Sequence, residues 1–184
     1  LGLPVATERL DPIIAQYIAD AVAWSAIGAR TTEAQTHRQL GSGLSMPVGF
    51  KNATDGTFQT AIDAISTARS EHSFIGVLED GHVGVFRTRG NPYAHIVLRG
   101  GSGQPNYGAE HIAFLKVAMR KAGIKPAIVV DCSHANSNKN YKNQHIALED
   151  VLRQIADGED ALTGVMLESL SLIHISEPTR QEAI

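Results

Sequence analysis

Apolar residues in this chain come in short runs that alternate with stretches of helical periodicity, and the alternation repeats along most of its length. Behind Pro12, the residues Ile13, Ile14, Tyr17, Ile18 and Ala21 recur at helical spacing, which predicts a helix over Asp11 to Ala21. A strand is expected through Trp24 to Ala29, and Thr31-Thr32-Glu33 then opens a helix-like stretch that passes Gln35 and Arg38 before a Gly-Ser-Gly break at 41 to 43. Val48 to Lys51 reads as a short buried strand. Gly56 to Ala68 places Phe58, Ala61, Ile62, Ala64 and Ile65 on one helical face suited to packing on a sheet. His72 to Asn91 breaks the series, because two β-rich arms flank Asp80-Gly81, a short-range hairpin signal. From Ala94 the alternation resumes: a strand to Arg99, a glycine-rich loop, a helix over Ala109 to Ala122, a strand over Ala127 to Asp131, a polar loop, a helix over Gln144 to Ala156 and a strand over Leu162 to Leu167. No internal repeat accompanies the alternation.

Strands that alternate with helices in this way form a parallel sheet whose carboxyl-terminal edge carries the chemistry, as in barrels and doubly wound folds. Five predicted strands lead into residues suited to that role: Arg30, Lys51, Arg99, His134 and Glu168. Guanidinium groups offer a rigid fork of donors that matches phosphate or carboxylate oxygens, and lysine adds a mobile point charge, so the three cations together suit a small polyanion. Gly28 and Gly100-Gly101 beside the arginines let such a ligand approach the backbone. A lone strand-end arginine fits a rim ion pair equally well. Imidazole and carboxylate are ordinary ligands for divalent metals, so His134 and Glu168 are candidate ligands, although two do not complete a site. Cys132 would share a face with His134 if the strand persisted, which makes it a possible third ligand or simply a small core residue.

Composition narrows the setting without changing the picture. At 184 residues and 43% hydrophobic, the chain can bury a sizeable core as one domain. A formal charge of −3 with no basic run argues against nucleic acid as a partner. The single cysteine excludes an intrachain disulfide framework. No apolar run reaches the roughly 18 residues of a membrane span, and no signal peptide is evident, so a cytoplasmic location is expected.

Taken in order, the strings GARTTE (28–33), GFKN (49–52), HIVLRGG (95–101), PNY (105–107), SHANSNK (133–139) and GVMLES (164–169) strongly resemble the type I 3-deoxy-D-arabino-heptulosonate 7-phosphate synthases. The resemblance covers Leu1 to about Ser169. It implies a metal-dependent (β/α)8 barrel, into which the hairpin read near 72–91 would be inserted, and an aldol-type condensation of phosphoenolpyruvate with erythrose 4-phosphate, the first step of the shikimate pathway. By motif match, Arg30 and Arg99, with the backbone at Ala29, would hold the phosphate of phosphoenolpyruvate, and Lys51 would lie on its carboxylate side. Lys51 and His134 would be the catalytic residues, with His134 and Glu168 as ligands of a divalent ion (Mn, Fe, Co or Zn). A homo-oligomer is implied for the full-length protein. Alternatives of other classes are a related phosphoenolpyruvate-dependent 3-deoxy-sugar acid synthase and a non-catalytic truncated barrel.

The departures from the pattern are equally specific. The family's Lys-Pro-Arg-Thr motif, its metal-binding cysteine and its late metal-binding aspartate have no counterpart in this chain, so an incomplete barrel lacking its first strands and last units, inactive on its own, is expected. The tail from Leu170 to Arg180, LSLIHISEPTR, resembles the conceptual translation of a transposase-adapter end used in sequencing libraries. The domain reading is therefore a partial barrel over 1–169 and a non-native tail over 170–184, with no functional weight on His174 or Glu177. Independent sequencing of the source locus is expected to replace that tail.

Overall fold

The computed structural model describes residues 2–168, so the tail reading and Ser169 lie outside the described residues. Six parallel strands in the order β1 (Ala6–Glu8), β2 (Trp24–Ile27), β3 (Val48–Lys51), β6 (His95–Leu98), β7 (Ile128–Asp131) and β8 (Leu162–Met166) form one curled sheet. The helices α1 (Gln35–Gly43), α2 (Gln59–Ala68), α3 (Ala109–Lys121) and α4 (Gln144–Ala156) connect successive strands. The result is a half-barrel, an incomplete form of the (β/α)8 architecture that the alternation predicts. A separate antiparallel hairpin, β4 (Ser73–Val77) with β5 (Val83–Arg87), interrupts the series between α2 and β6. Its turn centres on Asp80-Gly81, where Gly81 takes a left-handed backbone (φ 84°).

The two-residue period of each strand sorts its side chains. Val48 and Phe50 of β3, Ile96 and Leu98 of β6, and Ile128 and Val130 of β7 are fully buried in the core that contains the buried helix faces, including Leu40, Ile62, Ile65, Ile112 and Leu115. The alternate residues face the concave side, where the register aligns Lys51 with Val97 and Val97 with Val129. That side is crowded at its base: a Cβ on Gly49 would come within 2.6 Å of both Trp24 and Val97, so only glycine fits there. Continued to the strand ends, the same parity brings Lys51, Arg99 and Asp131 towards one space.

At three places the elements differ from the sequence reading. Residues 11–21 do not form a helix; only Ala19–Ala21 close a 3-10 turn. The Asp11 carboxylate accepts the Ile13 N–H at 2.6 Å, and the Ile13 carbonyl accepts the Val77 N–H of the hairpin, so local and cross-chain bonds replace the helical ladder. Ile13, Ile14 and Tyr17 are correspondingly exposed, and Ala15 is the buried member of the segment. Second, α1 runs through Gly41-Ser42-Gly43 rather than breaking before them, because Gly41 lies against the Phe50 ring, where a Cβ would stand 2.8 Å from Cζ. Third, β1 carries no alternating apolar pattern and was not anticipated; it pairs with β2 through Ala6, Thr7 and Glu8.

Candidate active site

The carboxyl-terminal edge of the sheet surrounds a cavity of about 560 Å³. Its walls include all five strand-end residues singled out from the sequence, Arg30, Lys51, Arg99, His134 and Glu168, together with Ala29. Glu8 also lines it.

On the cationic side, the turn after β2 is built on the Gly28 carbonyl, which accepts the N–H groups of Thr31 and Thr32. The Thr32 hydroxyl bridges that carbonyl and the Lys51 carbonyl at 3.0 and 2.9 Å, tying the Arg30 turn to the end of β3. Arg30 is exposed and Arg99 half-buried. Among the described residues neither guanidinium forms an ion pair, so the rim-pairing alternative finds no support. Lys51 is different: it is buried, with Nζ 3.1 Å from Asp131 Oδ2 and 3.8 Å from Glu8 Oε2.

Asp131 connects this cradle to the opposite wall. Its carboxylate is inaccessible to solvent; Oδ1 accepts the N–H and hydroxyl of Ser133, while Oδ2 faces Lys51 and, at 3.3 Å, His134 Nε2. Burial works to raise the pKa of this group, but the His134 contact, the Lys51 charge and the Ser133 bond outweigh it and hold the carboxyl well below the usual carboxylate range. His134 itself adopts a left-handed backbone (φ 53°), uncommon for a residue with a side chain and costing on the order of 1 kcal/mol or more. That turn directs Nε2 to within 3.2 Å of Glu168 Oε1. Glu168 is held in place through its main chain, since the Gln144 amide donates to its carbonyl at 2.7 Å and accepts its N–H at 2.8 Å.

The donor atoms of Asp131, His134 and Glu168 all lie within 4.8 Å of one another. Neighbouring donors at 3.2 and 3.3 Å have the spacing that two ligands adopt about one divalent ion with bonds of about 2.1 Å. This donor set, an imidazole with carboxylates, fits a divalent metal. Cys132 does not join it. β7 ends at Asp131, so the parity that would have aligned the thiol with His134 is lost, and Cys132 is buried in the hydrophobic core. Burial, followed by the Asp131 charge, pushes its thiol up to about 11.

Sequence reasoning missed Asp131 and Glu8. For Asp131 a signal was present: an acidic residue closes the apolar run Ile128-Val129-Val130 with the parity of Val129, and a buried charge there requires a cation opposite.

Comparison with known proteins bears on the assignment. Residues 1–177 match the family model described as "DAHP synthetase I family". Over 169 residues the chain is 52% identical to the Tyr-sensitive phospho-2-dehydro-3-deoxyheptonate aldolase of Salmonella typhimurium, covering 92% of this chain and 47% of that protein. It is 54% identical over 168 residues to the Phe-sensitive enzyme of Escherichia coli, covering 91% of this chain and 48% of that one. A solved structure of phospho-2-dehydro-3-deoxyheptonate aldolase from Francisella tularensis superposes with a TM-score of 0.86 at 45% identity, over 91% of this chain and 49% of that one. The chain thus spans about half the length of each of these three relatives.

Proposed function

Because the chain belongs to the DAHP synthetase I family, we propose that the whole protein condenses phosphoenolpyruvate with erythrose 4-phosphate and water to give 3-deoxy-D-arabino-heptulosonate 7-phosphate and phosphate. This chain carries the phosphoenolpyruvate cradle and part of a divalent-metal site. The observation that supports the reading is the convergence of three cations and a metal-competent donor set on one cavity, with both guanidinium groups unpaired among the described residues.

Arg30 and Arg99 grip the phosphate oxygens as rigid forks, assisted by the backbone at Ala29, and Lys51 stands on the carboxylate side, where Asp131 orients its ammonium. Holding the enol phosphate in this way presents its methylene carbon to the second substrate in a fixed direction. A divalent ion held by His134 and Glu168, with Asp131 beside them, would supply polarisation of the aldehyde carbonyl. The new bond joins the methylene carbon to the aldehyde carbon as the aldehyde π pair moves onto its oxygen, which takes up a proton. Water then adds to the cationic carbon bearing the phosphate and gives up a proton, and the bond from that carbon to the phosphate oxygen breaks, releasing phosphate and leaving a keto group. Lys51 is a proton carrier on the carboxylate side of the substrate, and His134 completes the catalytic pair. Both substrates are small soluble metabolites of aromatic amino acid synthesis, which suits a cytoplasmic setting; a homo-oligomeric state for the whole protein rests on the family resemblance alone. No described helix is long and apolar enough to cross a membrane.

Calorimetric titration of the chain with phosphoenolpyruvate tests the cradle. Arg30→Ala and Arg99→Ala should each weaken binding by about tenfold or more, as loss of a charge-assisted pair does. Unchanged affinity in both variants, or failure of the whole protein to form product from the two substrates, would refute the reading.

A further inference from the structure

Three buried asparagines lie beneath Arg99, and none of them lines the cavity. Asn52, the residue after β3, accepts the Arg99 N–H at 2.8 Å on Oδ1 and donates through Nδ2 to the Gly100 carbonyl at 3.1 Å. Asn106, before α3, accepts the Gly100 N–H at 2.8 Å and donates to Asn52 Oδ1 at 3.2 Å. Asn136, after β7, accepts the Asn106 N–H at 3.0 Å and donates to the carbonyls of Leu98 and Asp131 at 3.2 and 2.8 Å. Consecutive residues Leu98, Arg99 and Gly100 thus each place a backbone group on an asparagine amide.

The ladder of β6 ends at Leu98, and Gly100 turns into the left-handed region (φ 70°), so the sheet alone does not determine where the Arg99 backbone points. The amides replace the missing ladder. An amide suits the task because it supplies a donor and an acceptor side by side, whereas a carboxylate or hydroxyl would leave one backbone partner unmatched. All three side chains are buried, which strengthens each bond and removes competing water.

We propose that Asn52, braced by Asn106 and Asn136, is a positioning residue for the substrate-phosphate site: it fixes the backbone at Arg99 so that the guanidinium is already directed into the cavity before the anion arrives. The inference rests on the reading that Arg99 binds the phosphate of phosphoenolpyruvate. Its energetic logic is preorganisation, in which ordering is completed on folding and not charged against binding.

A double-mutant cycle on the full chain tests it, with phosphoenolpyruvate affinity read by calorimetry and fold by circular dichroism. Asn52→Ala should weaken binding about tenfold when Arg99 is present and less than about twofold in an Arg99→Ala background, a coupling within the usual range for residues that act together. Asn91→Ala is the control for a structural effect. Asn91 is equally buried and bridges the Leu44 and Met46 carbonyls away from the cavity, so its loss should lower stability and leave affinity unchanged. If Asn52→Ala does not fold, Asn106→Ala decides in its place, since it keeps the Asn52 bond to Arg99 and removes the acceptor of Gly100. Parent-like affinity in the folded asparagine variants, or equal weakening in both Arg99 backgrounds, overturns the proposal. An Arg99→Ala chain that binds like the parent overturns the phosphate assignment, and this inference with it.

Discussion

Replacing Asp131 with Asn should destabilise the chain by about 3 kcal/mol, and the reason lies in what is left behind. The Lys51 and Asp131 side chains are 6% and 0% exposed with their charges 3.1 Å apart. At an effective dielectric of about 20 their gross attraction is about 5 kcal/mol, much of it offset by desolvation on folding. Asparagine keeps the shape and one acceptor but removes the charge. Lys51 is then a buried ammonium whose nearest remaining anion is Glu8, 3.8 Å away and 39% exposed. Removing one partner of such a pair costs about 3–5 kcal/mol, and the residual help from Glu8 places this case at the lower end. A typical domain has only about 5–15 kcal/mol in total, so the loss is easily seen in urea unfolding followed by circular dichroism. Removing the stranded charge as well should recover part of it: Asp131→Asn with Lys51→Met is expected to be more stable than the sum of the single losses by about 1–3 kcal/mol. A single-variant loss below about 1 kcal/mol, or strict additivity in the double variant, would refute the account.

Further outcomes follow from the same geometry. Manganese binding, read by electron paramagnetic resonance, should weaken by about tenfold or more in His134→Ala and in Glu168→Gln, and be unchanged in Cys132→Ser; a deficit in the cysteine variant would return the thiol to the ligand set. The Cys132 thiol, buried and pushed up to about 11, should resist a disulfide reagent at pH 8 until urea is added, and rapid labelling of the folded chain would contradict its placement. His95 accepts the Trp24 indole N–H on Nε2 at 3.1 Å, and its Nδ1 faces the Tyr93 carbonyl at 3.0 Å, so it serves as a neutral ring. Burial lowers its pKa below the ordinary 6.5 that the unfolded chain retains. The unfolded state therefore takes up the proton first, and the stability that depends on a neutral ring is present above that value and is lost as the pH falls below it. Urea midpoints read by the fluorescence of Trp24, the one tryptophan, should drop between pH 7.5 and 5.5 and drop less in His95→Gln.

Legibility in the sequence followed from how each residue is held. Arg30, Lys51, Arg99, His134 and Glu168 were readable because a parallel strand has one functional end, and the residue at that end needs no knowledge of its neighbours to be noticed. Asp131 and Glu8 required knowing what stood across the sheet: both face the Lys51 ammonium, and Asp131 also faces His134. The segment from Asp11 to Ala21 misled because its apolar spacing is helical while the Ile13 carbonyl bonds to the hairpin and its remaining backbone bonds close local turns, a competition that periodicity does not register. Gly41 and Gly43 likewise read as a break because the chain alone does not reveal the Phe50 ring beside the first, or Gln16 and Thr88 beside the second, which leave room only for small residues.

The cross-bracing of the rim has a consequence for motion. Loops at the end of a barrel ordinarily open with little free energy, since their amides bond to water. Here the Thr32 hydroxyl caps the end of β3, the asparagine amides hold the backbone from Leu98 to Gly100, and Gln144 takes both main-chain groups of Glu168. To open, each of these loops must break bonds to its neighbour. The rim is therefore expected to open cooperatively, with the amides of Arg99, Gly100 and Glu168 exchanging with solvent more slowly than those of an unbraced loop.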